Sequence, residues 1–291
     1  VEPCGISISD RFDQFLNELN TVSSVDDLSN LSSVQRQTLN WLLNEDGLEL
    51  CPEDDTLVQR YVTALIYFTT NGDNWTKCSK TDFTCGSNRL DDSPFKGKSS
   101  YLSPVSECDW AGITCNTRGK VAEIRFEENN LNGFIPFELG QLLFLKVLNV
   151  ARNFLHGSFP SQIWDLNMLE TIRLDDNVIG GQIPDNLEHL SSTMKRLIIN
   201  NNTFSGTIRG VGDLTKLRSL ELQNNNFIGS IPDSIGDARD IVSAKFHGNM
   251  LTGTVPLSIC DNSFRVLTSD CRDESAFFVS CDCCTDCPVP L

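Results

Sequence analysis

The sequence of 291 residues carries 39 acidic and 23 basic side chains and has a formal net charge of −16. Nucleic acids and anionic lipids attract basic surfaces, so this charge argues against both as partners. No apolar run approaches the ~20 residues of a membrane-spanning helix, so we expect no direct membrane insertion. The chain begins with Val1 rather than Met, which suggests a processed form.

Residues 1–120 are predicted to form a helical, disulfide-bonded N-terminal extension and cap. In the first helix, apolar side chains recur at i, i+3, i+4 and i+7, namely Phe12, Phe15, Leu16 and Leu19. A second helix is expected at about 34–43. A third is expected at about 55–70, with Asp54 or Asp55 as its N-cap residue. The terminal repeats of a solenoid need a cap, and a separate ligand-binding domain is the alternative.

A long surface loop is predicted at 79–107, where Gly, Pro, Ser and Lys alternate in stretches such as DDSPFKGKSS. A Cys78–Cys85 bridge is expected to tie this loop at its beginning. The loop ends at the motif CDWAGITC, residues 108–115.

The central segment 121–264 repeats a 24-residue template, LxxLxLxxNxLxGxIPxxLxxLxx, six times. The alternating LxL core predicts a short strand with one buried face. The side chain of the template asparagine can satisfy buried backbone groups beyond the reach of the strand ladder. One such asparagine occurs in each repeat: Asn129, Asn153, Asn177, Asn202, Asn225 and Asn249. Because one coil buries little surface alone, stacked repeats must form the core.

Two repeats depart from this template. The third repeat is one residue longer than the template, at 191–193. The fourth is one residue shorter than the template and has Arg209 where the template has Pro. A kink or bulge is therefore expected near the middle of the solenoid. The spacing continues past the sixth repeat and predicts a seventh, partial strand near 266–269.

Residues 265–291 are predicted to form a Cys-rich C-terminal cap. The twelve cysteines divide into six at each end of the chain: Cys4, Cys51, Cys78, Cys85, Cys108, Cys115, Cys260, Cys271, Cys281, Cys283, Cys284 and Cys287. This even, end-segregated set predicts six disulfides in an oxidising compartment. The six C-terminal cysteines allow 15 pairings. Zinc bound by C-x-C-C-x-x-C is the alternative, although we expect no metal and no cofactor.

The NxLxGxIP repeats resemble the plant-specific leucine-rich-repeat class, which includes receptor-kinase ectodomains and polygalacturonase-inhibiting proteins. CDWAGITC resembles the end of the N-terminal cap of that class, and this resemblance implies a Cys108–Cys115 pair. RYVTALIYFTTNGDNWTKC at 60–78 and CDCCTDC at 281–287 resemble secreted or cell-surface repeat proteins of diatoms. The resemblance implies an α/β repeat solenoid, a right-handed superhelix with short parallel strands on its concave face, a helical N-terminal cap and a disulfide-knotted C-terminal cap.

Catalytic motifs are missing from the sequence, so we expect no enzyme activity. The three histidines fit no metal-binding or nucleophilic spacing, and no GxSxG or phosphate-binding glycine loop occurs. Paired acids such as Asp175-Asp176 suit a solvated strand edge better than a glycosidase site.

The variable residues that flank the strand leucines are the candidate ligand contacts on the concave face. They are Arg125, Glu127, Glu128, Asn149, Arg152, Arg173, Asp175, Asp176, Asn200, Glu221, Gln223, Lys245 and His247. Arg125, Arg152 and Arg173 are the expected anchors for an anionic peptide or polysaccharide. A self-neutralising charge network is the alternative. From the spacing and length of its strands, the concave face has an area of roughly 490 Å². This is below the ~800 Å² that each partner buries in a standard protein interface.

These features predict a secreted or cell-surface recognition module that binds an extracellular protein, peptide or polysaccharide in cell contact, adhesion or defence. N-glycosylation sequons at Asn30, Asn74 and Asn201 agree with secretion. The main alternative is a self-associating matrix protein. Inhibition of a secreted hydrolase and ice binding are minor alternatives, and the mixed charges of the concave face argue against ice.

Overall fold

The computed structural model describes residues 3–82, 85, 95–262, 264–271 and 279–288. Its α-helices are α1 (Ile8–Leu19), α2 (Val25–Ser29), α3 (Val34–Asn44), α4 (Leu57–Thr69), α5 (Ser161–Trp164) and α6 (Leu257–Cys260). Its strands are β1 (Ile113–Cys115), β2 (Val121–Arg125), β3 (Asn132–Gly133), β4 (Val147–Asn149), β5 (Phe154–Ser158), β6 (Thr171–Arg173), β7 (Val178–Gln182), β8 (Arg196–Ile198), β9 (Thr203–Gly206), β10 (Ser219–Glu221), β11 (Asn226–Gly229), β12 (Ser243–Lys245), β13 (Met250–Leu251), β14 (Gly253–Thr254), β15 (Val266–Thr268) and β16 (Val279–Ser280).

The main sheet stacks one strand from every repeat in the order β1-β2-β4-β6-β8-β10-β12-β15. From β2 onward all neighbours are parallel, and equivalent apolar residues pair from repeat to repeat, as Ile124 does with Leu148 and Leu148 with Ile172. Their side chains are buried and form one continuous core along the solenoid. The predicted leucine-rich-repeat solenoid is confirmed, and β15 is the predicted seventh strand.

Strand β1 was not predicted. It belongs to the N-terminal cap and pairs antiparallel with β2, with Ile113 opposite Ile124. It therefore covers the edge of the first repeat and forms backbone hydrogen bonds with it. The repeat pattern of the sequence does not predict this strand.

A second sheet runs along the return segments in the order β13-β11-β9-β7-β5-β3. Its N-terminal edge packs directly on α4. A Cβ at Gly133, whose φ is +143°, would lie 1.9 Å from the carbonyl oxygen of Thr69. The template glycine of the first repeat thus allows the cap helix to approach.

The irregular third and fourth repeats leave the main sheet undisturbed. Strands β6, β8 and β10 pair residue for residue, with Ile172 opposite Leu197 and Leu197 opposite Leu220. The extra residue lies in the turn at 191–193, where the amide of Met194 reaches back to the carbonyl of Leu190 at 3.0 Å. The expected bulge therefore occurs in a connecting turn, because a turn can lengthen without breaking strand pairing.

A buried ion triad holds the N-terminal cap together. The guanidinium of Arg60 on α4 donates to both carboxylate oxygens of Asp46 at 2.5 Å and to Glu107 at 3.4 Å. The side chains of Arg60 and Asp46 are fully buried. The rings of Trp41 and Trp110 lie 5.5 and 4.6 Å from the guanidinium carbon. The triad thus joins α3, α4 and the segment before β1.

Three predictions about the cap need correction. Helix α4 begins at Leu57 after Thr56, not after Asp54 or Asp55, because the carboxylate of Asp54 accepts instead from the Cys51 amide at 2.5 Å. The short helix α2 was not predicted. In the described part of the predicted surface loop, Tyr101 is fully buried and its hydroxyl donates to the carbonyl of Thr63 at 2.8 Å. The first four residues of the stretch DDSPFKGKSS, 91–94, lie outside the described residues.

All twelve cysteines form disulfides: Cys4–Cys51, Cys78–Cys85, Cys108–Cys115, Cys260–Cys283, Cys271–Cys287 and Cys281–Cys284. The C-terminal pairing occupies the sulfur atoms that the zinc alternative would require. In the C-terminal cap, β16 pairs with β14, and Thr285 bonds through its backbone and side chain to Leu267 of β15.

We expect the denatured, unreduced protein to show no titratable thiol, because every sulfur atom is bonded to another. Titration with a thiol reagent in strong denaturant measures this directly, and the same sample after reduction is the positive control. Two or more thiols before reduction would contradict the pairing.

Candidate functional site

The template asparagines are structural rather than exposed. Asn153 is 6% exposed. Its Nδ2 donates to the carbonyls of Phe126, Val150 and Ala151 at 2.8–3.0 Å. Its Oδ1 accepts from the amides of Asn129 and Leu131, both at 3.0 Å. From Asn153 onward, each template asparagine ties its own turn to the preceding repeat in this way.

The two caps complete this asparagine ladder. At the N-terminal end, Oδ1 of Asn129 accepts from the backbone amide of Lys77 at 2.6 Å. At the C-terminal end, the buried carboxylate of Asp270 takes the asparagine position and accepts from the amides of Gly248 and Asn249 at 2.9 and 3.3 Å. The interior of the solenoid is thus hydrogen-bonded from cap to cap.

The residue before each ladder asparagine presents its side chain at the rim of the main sheet. Five of these residues, Glu128, Arg152, Asp176, Asn201 and Asn224, form what we call the rim track. Each has a left-handed backbone, with φ between 54° and 58°. This conformation is uncommon for residues other than glycine, and asparagine and aspartate tolerate it best.

The rim track is a continuous line of polar contacts. Arg152 Nη1 donates to Glu128 Oε1 at 2.6 Å, and Arg152 Nε lies 3.9 Å from Asp176 Oδ2. Asn201 Nδ2 donates to Asp176 Oδ1 at 2.5 Å, and Asn224 Nδ2 donates to Asn201 Oδ1 at 2.7 Å. Five successive repeats thus present one ordered row of side chains.

The charged end of the rim track is part of an ion cluster with Glu127, Arg173 and Asp175. Arg173 lies 3.2 Å from Asp175 and 3.7 Å from Glu127, and Arg152 lies 3.4 Å from Glu127. The hydrogen bond from Arg152 lowers the pKa of the Glu128 carboxyl, and the same bond raises the pKa of Arg152. Four carboxylates surround two guanidinium groups, so the cluster is net negative.

The three arginines that were expected to anchor an anionic ligand are each paired with a carboxylate. Arg125, the third proposed anchor, is bonded to Glu123 at 2.8 Å, and Lys245 is bonded to Glu221 at 3.0 Å. An anionic ligand would have to displace a carboxylate from each arginine. The self-neutralising network, the alternative from the sequence, describes the observed contacts.

Four predicted contact residues of the concave face are buried: Asn149, Asp175, Asn200 and Gln223. The side chain of Asn149 is used internally, since its Nδ2 donates to Glu127 at 3.2 Å and its Oδ1 accepts from the amide of Ala151 at 3.2 Å. His247 is half-buried and contacts Thr268 at 2.7 Å, and its burial lowers its pKa. The remaining predicted contacts are at least partly exposed.

An open depression of about 550 Å³ lies beside the uncharged end of the rim track. Six asparagines contribute to its lining: Asn177, Asn201, Asn202, Asn224, Asn225 and Asn249. Its surface offers both donors and acceptors without formal charge. Asn224 was missing from the predicted contacts, although an asparagine next to a ladder asparagine is a signal for the left-handed rim position.

The three sequon asparagines Asn30, Asn74 and Asn201 are all exposed. Asn201 belongs to the rim track and lines the depression. A glycan on this residue would stand over the depression.

Comparison with known proteins agrees with this architecture. The Leucine Rich Repeat family model matches residues 168–190 and 216–238. Phytosulfokine receptor 1 of Arabidopsis thaliana is 41% identical over 49 residues, which cover 16% of this chain and 5% of the receptor.

Three solved structures are similar to the chain. The PEPR1–AtPEP1 structure matches with a TM-score of 0.52 and 32% identity, covering 60% of this chain and 24% of that one. Pollen Receptor Kinase 3 matches with a TM-score of 0.51 and 26% identity, covering 64% of this chain and 86% of that one. A plant ice-binding protein matches with a TM-score of 0.50 and 26% identity, covering 58% of this chain and 55% of that one.

The chain spans less than two thirds of phytosulfokine receptor 1 and of the PEPR1 chain. Its fold is that of a leucine-rich-repeat ectodomain, a non-catalytic module, and its disulfide-rich caps suggest an extracellular location. In the parts of the chain that the structure describes, every helix is too short or too polar to cross a membrane. The repeats, their sheets and the solved relatives show a plant-type leucine-rich-repeat domain related to the ectodomains of leucine-rich-repeat receptor kinases.

Proposed function

We propose that the protein is an extracellular recognition module that binds an extended peptide along the rim track. The observation that carries this proposal is the continuous row of ordered polar side chains across five repeats, with an open depression beside it. A rigid, pre-ordered row lowers the entropy cost of binding.

The chemistry of the row suggests the orientation of the ligand. The ion cluster carries two more carboxylates than guanidinium groups, so it favours a basic side chain or a free amino terminus. At the edge of the depression, Asn201 and Asn224 each use one N–H within the rim track, which leaves a second N–H and carbonyl lone pairs for a peptide backbone. We therefore expect a peptide with a basic group at the Glu128 end and an uncharged segment at the Asn224 end.

The similar proteins support a ligand-binding role for this fold. The PEPR1 structure is that of PEPR1 with AtPEP1, and the matching segment of phytosulfokine receptor 1 belongs to a receptor. An extended peptide also fits the limited area of the main sheet, which is smaller than a standard protein interface.

Self-association and hydrolase inhibition remain alternatives, with no described contact favouring either. The main sheet gives no support for ice binding, because its exposed columns mix charged and neutral residues. The affinity with diatom proteins and the domain limits 1–120, 121–264 and 265–291 also stay predictions.

We expect Asp176→Lys to weaken peptide binding at least tenfold with little change in melting temperature, since the residue is exposed in the middle of the rim track. Peptides enriched from a random display library on the intact protein serve as the probe, and calorimetry measures the affinity. Glu188→Lys, an equal charge change on an exposed connecting turn, is the control.

A ligand that binds the arginines would respond differently. If Arg152→Glu with Arg173→Glu weakens binding while Asp176→Lys does not, the ligand is anionic and our assignment is wrong. An equal loss with Glu188→Lys would mean that net charge, not the rim track, governs binding.

A further inference from the structure

The outer face of the second sheet differs from the rest of the molecular surface. Along each strand, buried residues such as Leu155, Ile179 and Phe204 alternate with residues that face outward. The outward residues of these strands and of the positions that directly follow them are Asn132, Phe134, Phe154, His156, Ser158, Val178, Gly180, Gln182, Thr203, Ser205, Thr207, Asn226, Ile228, Ser230, Met250 and Thr252.

None of these outward residues is Asp, Glu, Lys or Arg, although 21% of the whole chain is charged. A charged side chain lies at the margin of this face, where the hydroxyl of Thr207 donates to the carboxylate of Asp185 at 2.8 Å. The main sheet, by contrast, has ion pairs across most of its repeats. An uncharged face of this length on a chain of net charge −16 favours an uncharged partner.

The face combines apolar and hydrogen-bonding groups. At one end, Phe154 is 62% exposed, Val178 58% and Phe134 41%. Phe154 and Val178 lie on the paired strands β5 and β7, and Phe134 directly follows β3, which pairs with β5. Toward the other end, hydroxyl and amide side chains of Thr, Ser, Asn and Gln are the most frequent, with Ile228 47% exposed among them.

Size and charge argue against a second copy of this chain. Six strands about 4.8 Å apart and about 17 Å long cover roughly 400 Å², about half of the ~800 Å² per partner in a standard protein interface. Two copies would also bring together chains of net charge −16 each. A partner that suits this face must instead gain its affinity from a narrow contact that repeats from strand to strand.

We propose that the outer face of the second sheet is a docking surface for a neutral extracellular polysaccharide. A sugar ring has apolar C–H faces, which pack on phenylalanine rings, and equatorial hydroxyls, which bond to amides and hydroxyls. Strands spaced at a constant interval repeat these groups along the face, as a polymer repeats its units. A polymer also gains avidity from several weak contacts.

The exposed phenylalanines separate this proposal from ice binding. Ice offers only hydrogen-bonding groups, whereas Phe134 and Phe154 stand out of the sheet at one end. The docking surface is distinct from the rim track and does not depend on the proposed peptide function.

The test is co-sedimentation of the full-length, disulfide-bonded protein with insoluble cellulose, chitin and mannan. We expect binding to at least one of these neutral polymers. Phe154→Asp with Val178→Asp should weaken that binding at least tenfold, about 1.4 kcal/mol. Thr203→Lys with Thr252→Lys, at the hydroxyl-rich end, should also weaken it. Val242→Asp, an exposed apolar residue outside the second sheet, and Asp176→Lys in the rim track should leave it unchanged.

Three outcomes would overturn the proposal: no binding to any of the three polymers, equal loss with Val242→Asp, or binding that survives both double variants. Inhibition of ice recrystallisation without polymer binding would assign the face to ice. Dimers in light scattering that both double variants abolish would assign it to a second copy. Loss of peptide binding in Asp176→Lys with polymer binding retained separates the two sites.

Discussion

Replacing Asp46 by alanine is expected to destabilise the N-terminal cap by about 3–5 kcal/mol, because it leaves the guanidinium of Arg60 buried beside one distant carboxylate. Asp46 supplies both of the 2.5 Å contacts to Arg60, and Glu107 supplies one at 3.4 Å. Two tryptophan rings flank the charge, so water cannot easily replace the lost partner.

Denaturant unfolding combined with hydrogen exchange measures this effect. Exchange should accelerate first in α3, α4 and β1, because these elements meet at the triad. Asp13→Ala removes an exposed carboxylate from α1 and is the matched control. Adding Arg60→Met and Glu107→Gln to Asp46→Ala should recover part of the stability, since no charge of the triad then remains buried. If Asp46→Ala lowers the free energy of unfolding by less than about 1 kcal/mol, the pair behaves like an exposed ion pair. That result would contradict a stabilising role for the buried triad.

Replacing Asn153 by alanine should cost about 2–6 kcal/mol, at about 1–3 kcal/mol for each buried backbone group left unsatisfied. The amides of Asn129 and Leu131 both lose their acceptor. Because each repeat depends on its neighbours, the first two repeats should exchange faster than the last two.

The control is Asn226→Ala, which removes an exposed amide from the second sheet. Its stability should change by less than about 0.5 kcal/mol. Asn153→Asp keeps the acceptor oxygen but loses the donor, and we expect an intermediate loss. If Asn153→Ala behaves like Asn226→Ala, the ladder asparagines do not hold the repeats together.

The repeat architecture could be predicted because its signal is local and recurs. Each copy of LxL with its asparagine defines a strand and a turn, so even the partial strand β15 followed from spacing. The antiparallel strand β1 could not be predicted in this way, since it has no counterpart in the repeats. The C-terminal disulfides were also out of reach, because 15 pairings are compatible with one set of cysteines.

The candidate site was harder to predict than the fold. Arg152 and Arg173 were expected as ligand contacts on the concave face, but Arg152 pairs with Glu128 one repeat away and Arg173 pairs with Asp175 of its own repeat. Asn149 and Gln223 were expected at the surface because pattern alone assigns a face, not the depth of a side chain on it. The strands predicted from the LxL pattern all belong to the main sheet, so the uncharged outer face of the second sheet was not considered.

The C-terminal cap also protects the protein against aggregation. Thr285 and Asp286 cover the free edge of β15, and an uncovered strand edge is a template for pairing with other chains. Three disulfides hold this covering segment in place. In a reducing environment this edge would be released and could pair with the same edge of a second chain, so resistance to such association depends on the redox state of the compartment.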